Sequence, residues 1–365
     1  MDYYFLVITI IDVFVMAILC ILTASNETLS SQKRECFIVS FILIIVISIL
    51  ELTSVAVNNG PEWMRWINVI SNYLGFGLTP AVPIFLAAAL DNNKLKKYSF
   101  AAEAAFLVIL AVTYPMKPVF YVDGGNHYSR GEFFVIYIAA YVLAVIYLLF
   151  ITLKVAKMYS NRKNNSIYLI ALFLLSGSFV QVIFPGFHVS WLCASLLSIL
   201  YYIYCNGLWQ QLDELTGLLN QKSYLNHTDE ILHDGTMAVF DVNDFKLIND
   251  THGHLAGDKC LREIASAIKY AYSKHGLCYR IGGDEFCVIL DEKADTERCL
   301  RMFNKELESR KKRLSFLPDV SIGYAEFKAG DNALEVKETA DNDMYRNKKK
   351  NKSRKNSLSY KYIYR

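Results

Sequence analysis

The chain has 365 residues, of which 53% are hydrophobic, and its 38 basic and 35 acidic residues leave a formal net charge of +3. This small charge gives no indication of a nucleic acid polymer as a partner. The eight cysteines form no Cys-x-x-Cys pair and show no other metal-ligand spacing, so we interpret them as small buried hydrophobic residues.

Residues 1–206 consist largely of long apolar stretches, each close to the roughly 20 residues that a membrane-spanning helix needs. The first residues lack the basic n-region of a signal peptide, and the first apolar stretch is long enough to span. We therefore predict an α-helical membrane bundle of about seven helices. The predicted spans lie near Tyr3–Leu22, Cys36–Val57, Trp66–Leu90, Tyr98–Val119, Phe133–Val155, Ile167–Phe184 and Phe187–Cys205.

Loop charges predict the orientation of this bundle, because cytoplasmic loops of membrane proteins are enriched in Lys and Arg. With the N-terminus outside, nine basic residues fall in the inside loops and three in the outside loops. We predict a multi-pass membrane protein whose C-terminal part is cytoplasmic. The inside residues are Lys33, Arg34, Lys94, Lys96, Lys97, Lys154, Lys157, Arg162 and Lys163, and the outside residues are Arg65, Lys117 and Arg130.

Ionisable residues within membrane helices are costly and are therefore candidates for function. Asp12 lies near the middle of the first predicted span, Glu51 lies in the outer half of the second, and His188 opens the seventh beside Trp191. One interpretation is an outward-facing sensor pocket for a ligand or for pH. The other is a set of polar contacts that fixes helix packing. The sequence leaves both open.

The linker at 207–213 is too short for another folded domain, so a signal from the membrane part must pass through the last helix. We predict four segments: a transmembrane sensor domain at 1–206, the linker, an α+β domain at 214–352, and a basic C-terminal tail at 353–365. The tail either contacts anionic membrane lipid or is a solvated end.

Alternating apolar patterns predict the elements of the α+β domain. They are a strand at 237–242, helices through 243–275, hairpin strands around Gly282, a helix at 295–313, a strand at 319–327 and a helix at 333–350.

Two acidic motifs follow β-prone stretches of this domain. Gly282 and Gly283 precede Asp284 and Glu285 at the tip of the predicted hairpin, and Asp241 ends the predicted strand upstream. Glycines at a tight turn leave the backbone amides open to a ligand. Carboxylates at neighbouring strand ends are suited to magnesium, which prefers oxygen ligands and is usually shared with substrate phosphates.

These two motifs resemble the GGDEF-domain diguanylate cyclase family, and the resemblance covers roughly residues 213–352. It continues through Asp213–Asn220 at the start of the domain and Val320–Ala325 near its end. The resemblance implies a ferredoxin-like, palm-type fold with helices covering one sheet face. It also implies condensation of two GTP molecules into cyclic di-GMP with release of two pyrophosphates, by a homodimer in which each subunit presents one GTP.

The resemblance further implies roles for individual residues. Asp241, Asp284 and the carbonyl of Val242 match metal ligands for Mg²⁺ or Mn²⁺, Glu285 matches the carboxylate that assists the attacking hydroxyl, and Lys246 matches a cation that faces the phosphates. The matching substrate-binding residues are Asn249 and Asp258 at the guanine edge, Gly282 and Gly283 at the hairpin, and Lys348 and Lys352 at the phosphates.

The chain departs from the family pattern in three places. Asn243 stands where Asp is common, and Asn351 and Lys352 stand where Gly and Arg are usual. The inhibitory Arg-x-x-Asp site is replaced by Ser273–Gly276, which predicts little product inhibition. Two alternatives remain: a silent receptor that binds GTP and signals by protein contact, and an enzyme that joins other nucleotides, against which Asp258 argues.

Overall fold

The computed structural model describes residues 3–27, 29–90, 95–117, 119–159, 190–229 and 233–363. The chain divides into two compact units, with the boundary between Asn206 and Gly207. We refer to them as the helical unit and the C-terminal unit.

The helical unit contains, within its described residues, six stretches that are long and apolar enough to cross a membrane. They coincide with six of the seven predicted spans, whereas the predicted span Ile167–Phe184 lies outside the described residues. The stretches are Tyr3–Ala24, Ser31–Val57, Glu62–Leu90, Lys97–Met116, Val135–Ala156 and Trp191–Trp209. The helices are α1 (Tyr3–Ala24), α2 (Ser31–Val57), α3 (Arg65–Leu78), α4 (Ala81–Leu90), α5 (Leu95–Thr113), α6 (Val135–Tyr159) and α7 (Ser190–Trp209).

Proline accounts for the break within the third stretch. Pro80 lies in the turn between α3 and α4, and Pro83 lies in the first turn of α4, where the missing N–H costs no helical hydrogen bond. Tyr114–Met116, which contains Pro115, forms a short 3₁₀ turn that ends α5.

A short hairpin that was not predicted from the sequence follows α5. Its strands are β1 (Phe120–Val122) and β2 (Tyr128–Arg130). Asn126, at the tip, adopts a left-handed φ of 63° and is fully buried. Its amide donates to the Val57 carbonyl at 2.7 Å and its side-chain oxygen accepts from Asn68 at 3.0 Å. The hairpin is thereby joined to α2 and α3.

The C-terminal unit is built on one antiparallel sheet with the strand order β4-β5-β3-β6. This order, with helices after the first and third strands, is the split β-α-β arrangement of a ferredoxin-like sheet. The strands are β3 (Gly235–Val242), β4 (Gly276–Arg280), β5 (Glu285–Asp291) and β6 (Val320–Phe327), and the helices are α8 (Gln221–Thr228), α9 (Phe245–His252), α10 (His254–Tyr272), α11 (Thr296–Lys311) and α12 (Ala333–Ile363).

Helices cover both faces of this sheet, so the prediction of one covered face is wrong. Ala238 and Phe240 pack on one face with residues of α10 and α11, whereas Met237 and Val239 pack on the other with residues of α8 and α12. A central strand that is apolar at successive positions must bury both of its faces.

Helix α12 lies very close to β6. A Cβ added at Gly323 would lie 2.2 Å from the carbonyl oxygen of Ala340 and 2.2 Å from the amide nitrogen of Met344. Only glycine permits this approach, which sets the position of the residues that follow on α12. The helix continues to Ile363, well past the predicted end at 350 and into the segment predicted as a tail.

Candidate active site

The turn between β4 and β5 holds the two glycines and two carboxylates in an open position. The amides of Ile281 and Gly282 donate to the carbonyl of Glu285 at 3.0 and 3.3 Å. Gly282, Gly283 and Glu285 are exposed, and Asp284 is half-buried. A Cβ added at Gly283 would meet no heavy atom of the described residues within 4 Å. A ligand can therefore approach the backbone of the turn directly.

Arg280 fixes this turn from the side, an interaction that the sequence analysis missed. Its guanidinium donates to the Gly283 carbonyl through Nε at 3.2 Å and Nη2 at 2.7 Å, and Nη1 donates to Asp213 Oδ1 at 3.1 Å. The hydroxyl of Thr216 donates to the same carboxylate at 2.6 Å. The available signal was the opposite charge of Arg280, beside the Gly-Gly turn, and Asp213, at the start of the segment Asp213–Asn220. Arg280 thus ties the start of the unit to its acidic turn.

Asp241, Val242 and Asp284, the three residues predicted as metal ligands, lie close together. Asp241 lies opposite Glu285, one residue before the end of β3, and the amide of Val242 donates to the carbonyl of Asp284 at 3.2 Å. Lys348 on α12 forms an ion pair with Oδ1 of Asp241. The side chains of Asp241 and Lys348 are 20% and 28% exposed, so a ligand from solvent can reach both.

This donor set fits a magnesium or manganese ion. Within the described part of the chain, no three His, Cys, Asp or Glu side chains form a cluster that could hold a metal ion. The donors at this site are the carboxylates of Asp241 and Asp284 and the carbonyl of Val242. Mg²⁺ is commonly bound by one or two carboxylates together with water and substrate phosphates. The ammonium group of Lys348 against Asp241 shows that this carboxylate already accommodates a cation.

The predicted guanine-binding residues lie at the corner between α9 and α10. Gly253 turns the chain with a φ of 81°, and its amide donates to the carbonyl of Asn249 at 2.9 Å. An added Cβ at Gly257 would lie 1.9 Å from Oδ1 of Asn249, so this glycine makes room for the amide. The half-buried Asp258 follows directly, and Lys246 is exposed at the start of α9.

Lys337 is a further basic residue whose charge interacts with Glu285, and the sequence analysis did not identify it. Partial burial alone would lower the pKa of Lys337. The hydrogen bond to Asp341 at 2.9 Å and the charges of Asp341 and Glu285 nevertheless raise that pKa above its ordinary value. Lys337 therefore stays positively charged beside the acidic turn.

Four predicted site residues remain, and the structure describes the side chains of two of them. Asp12 is 1% exposed and accepts a hydrogen bond from Ser48 at 2.6 Å. Asp12 and the half-buried Glu51 line one small cavity of the helical unit. His188 lies outside the described residues, and Lys352 lies on α12 outside the described side chains.

Comparison with known proteins bears on the C-terminal unit. Residues 210–354 match the family model described as "Diguanylate cyclase, GGDEF domain". The C-terminal unit is a GGDEF domain. The acidic turn between β4 and β5 carries the Gly-Gly-Asp-Glu-Phe residues that give this domain its name, at Gly282–Phe286.

Several known proteins share this domain. The signaling protein YkoW of Bacillus subtilis is 34% identical over 162 residues, which are 40% of this chain and 20% of YkoW. The probable diguanylate cyclase DgcJ of Escherichia coli is 30% identical over 153 residues, which are 39% of this chain and 30% of DgcJ. The chain thus spans at most about a third of these relatives.

Solved structures of GGDEF domains also match the chain. The GGDEF domain of DgcB from Caulobacter crescentus, solved in complex with c-di-GMP, is 32% identical. The match covers 38% of this chain and 90% of the DgcB chain, with a TM-score of 0.35.

Proposed function

We propose that the protein is a membrane-bound diguanylate cyclase that condenses two GTP molecules into cyclic di-GMP and two pyrophosphates. The observation that carries the proposal is the convergence of Asp241, Val242 and Asp284 beside the open Gly282-Gly283 turn, within a GGDEF domain. The accessible carboxylates at the edge of the sheet can hold a metal ion, and the open backbone amides of the turn can contact phosphates. This combination suits a nucleoside triphosphate with its metal ion.

The proposed role of each residue follows from its position in the site. Asp241, Asp284 and the Val242 carbonyl hold Mg²⁺ or Mn²⁺, which neutralises charge on the phosphates when bound. Glu285, exposed at the start of β5, takes the proton of the 3′-hydroxyl that attacks the α-phosphate. Arg280 keeps the turn in the orientation that these steps need.

Substrate binding falls to the surrounding elements. Asn249 and Asp258 at the α9–α10 corner recognise the guanine edge, because a carboxylate and an amide can pair with its N1 and N2 donors. Gly282 and Gly283 admit the phosphates to the backbone amides. The positive charges of Lys246, Lys348 and Lys352 attract the phosphates.

The proposal also includes the assembly and its place in the cell. The active form is a homodimer, because each GGDEF domain presents one GTP and the product joins two. The helical unit acts as a sensor in the bacterial inner membrane, with the GGDEF domain in the cytoplasm. The Ser273–Gly276 segment lacks the charged pair of the inhibitory site, so cyclic di-GMP exerts little feedback there.

The test is product analysis with the full chain in lipid nanodiscs, supplied with GTP and Mg²⁺. We expect cyclic di-GMP by mass spectrometry, a loss of at least ~100-fold in Glu285→Gln, and no loss in Glu292→Gln, a control at an exposed carboxylate beyond β5. Product at the same rate in Glu285→Gln would contradict the assigned role. GTP binding without any product would favour a silent receptor.

A further inference from the structure

The chain at the end of β3 is hydrogen-bonded on both sides. The amide of Val242 donates to the carbonyl of Asp284 at 3.2 Å, just ahead of β5. The amide of Asn243 donates to the carbonyl of Asp319 at 2.9 Å, just ahead of β6. The peptide that joins Val242 to Asn243 is trans, so its C=O points opposite to its N–H. Because β3 lies between β5 and β6, the carbonyl of Val242 points away from β6 and toward the side of Asp284.

A side-chain hydrogen bond holds the same peptide from the β6 side. The hydroxyl of Ser321 donates to Oδ1 of Asn243 at 2.8 Å. Ser321 is 1% exposed, and a buried hydroxyl needs such a partner. It is also the register partner of Asp241, so the bond lies beside the proposed metal ligands. An Asn and an Asp side chain both offer an oxygen that accepts this bond, so Asn243 preserves it despite its departure from the family pattern.

The backbone directly after Asn243 requires support of this kind. Asp244 adopts a left-handed φ of 54°, which is uncommon for a residue other than glycine. Such a conformation persists where surrounding contacts hold it in place. The two hydrogen bonds of Asn243 to β6 and its preceding residue supply those contacts before α9 begins. Asp319 is itself held by an ion pair with Lys311, in the last turn of α11.

We propose that Asn243 and Ser321 are positioning residues of the metal site, whose hydrogen bond keeps the Val242 carbonyl directed toward a bound Mg²⁺ or Mn²⁺. Oδ1 of Asn243 is bonded to Ser321, so the side chain acts through the backbone and not as a ligand. Partners that orient a metal ligand commonly change metal affinity by about 10- to 100-fold. This role rests on the proposed metal site at Asp241, Val242 and Asp284.

The test is Mn²⁺ binding without nucleotide by the full chain in nanodiscs, measured by electron paramagnetic resonance. We expect Ser321→Ala and Asn243→Ala each to weaken Mn²⁺ binding roughly tenfold. The double variant should bind no more weakly than either single variant, because all three lose the same hydrogen bond. Asn243→Asp should bind at least as tightly as the wild type, because its carboxylate still accepts from Ser321. Ser223→Ala is the matched control, because Ser223 is 3% exposed in the same unit but donates to the carbonyl of Gln211.

Three results would overturn this role. Wild-type affinity in Ser321→Ala and Asn243→Ala, together with lost binding in Asp241→Asn, would leave the metal site in place and remove the positioning role. Losses that add up in the double variant would show that the two side chains do not act through one bond. No Mn²⁺ binding by the wild type would remove the metal site as well. Circular dichroism identifies a variant that fails to fold, and the other single variant then decides.

Discussion

The helical unit exposes large apolar side chains and buries polar ones, whereas the C-terminal unit buries its large apolar side chains and exposes polar ones. In the helical unit, Phe14 and Ile21 of α1 are 66% and 69% exposed, whereas Asn68 and Asn126 are fully buried. In the C-terminal unit, large aromatic side chains such as Phe240 are fully buried and the carboxylates lie at an accessible rim. An apolar exterior is expected for helices surrounded by lipid. The exposed apolar side chains of the helical unit therefore support the interpretation that its helices face lipid.

This difference separates structural polar groups from catalytic ones. Several buried polar groups of the helical unit bond to one another, as in the contacts among Ser54, Asn68 and Asn126, and others donate to backbone carbonyls. The polar groups at the edge of the sheet in the C-terminal unit remain open to a ligand. Substitutions in the first set should reduce stability, and substitutions in the second should reduce activity.

The largest effect is expected for Asp241→Asn. Loss of one carboxylate charge at the proposed metal site should lower cyclase activity at least ~100-fold, equivalent to about 3 kcal/mol of transition-state stabilisation. The thermal unfolding of the C-terminal unit should change little. The measurement is the rate of cyclic di-GMP formation beside circular dichroism, with Asp250→Asn on the exposed side of α9 as control. Full activity in Asp241→Asn would remove this residue from the site.

The next effect concerns the polar network of the helical unit. Asn126→Ala removes one hydrogen bond from the Asn68 amide and one to the Val57 carbonyl, which keep Asn58 and Gly60 as partners, and should lower the free energy of unfolding by about 1–2 kcal/mol. Asn59→Ala is a close control, because Asn59 has a similar left-handed φ of 62°. The measurement is unfolding in mixed micelles. Equal losses in both variants would show that backbone conformation alone causes the effect.

Lys348→Met should produce two smaller effects of opposite sign, one on metal binding and one on GTP binding. Without nucleotide, removal of the ammonium group frees Asp241, so Mn²⁺ should bind roughly 3- to 10-fold more tightly. With GTP, loss of a positive charge should raise KM. Electron paramagnetic resonance of Mn²⁺ and steady-state kinetics measure the two effects. Lys349→Met serves as control, because Lys349 lies over the Tyr345 ring. Weaker Mn²⁺ binding in Lys348→Met would contradict the competition.

The smallest effect is a pH dependence. Burial raises the pKa of Cys278 to about 12 and that of Cys260 to about 11. Because the folded pKa lies above the unfolded value near 9, the stabilisation is complete below pH 9 and is lost as the pH rises through 11 and 12. At pH 8 both thiols should resist alkylation until the unit unfolds, as measured by peptide mass spectrometry. Rapid labelling of the folded protein would contradict this burial.

The sequence predicts the parts that depend on local pattern. The strand ending at Asp241 and the hairpin at Gly282 follow from apolar alternation and glycine placement, and the convergence of Asp241 with Asp284 follows from the family resemblance. The Arg280–Asp213 pair and the Asn126–Asn68 contact join residues that are 67 and 58 positions apart. No local periodicity encodes such pairs. The second covered sheet face was missed because the expectation of one covered face came from the family resemblance, although the apolar run at 237–240 is typical of a strand buried on both faces.

The most direct test of the proposed reaction is its stoichiometry, measured as pyrophosphate and cyclic di-GMP formed in one reaction by the full chain in nanodiscs. A site that joins two GTP molecules should release two pyrophosphates for each cyclic di-GMP, and both products should disappear together in Glu285→Gln. Pyrophosphate or inorganic phosphate formed without cyclic di-GMP would contradict a diguanylate cyclase at this site. Formation of both products by Glu285→Gln at the full rate and in the same ratio would contradict it as well.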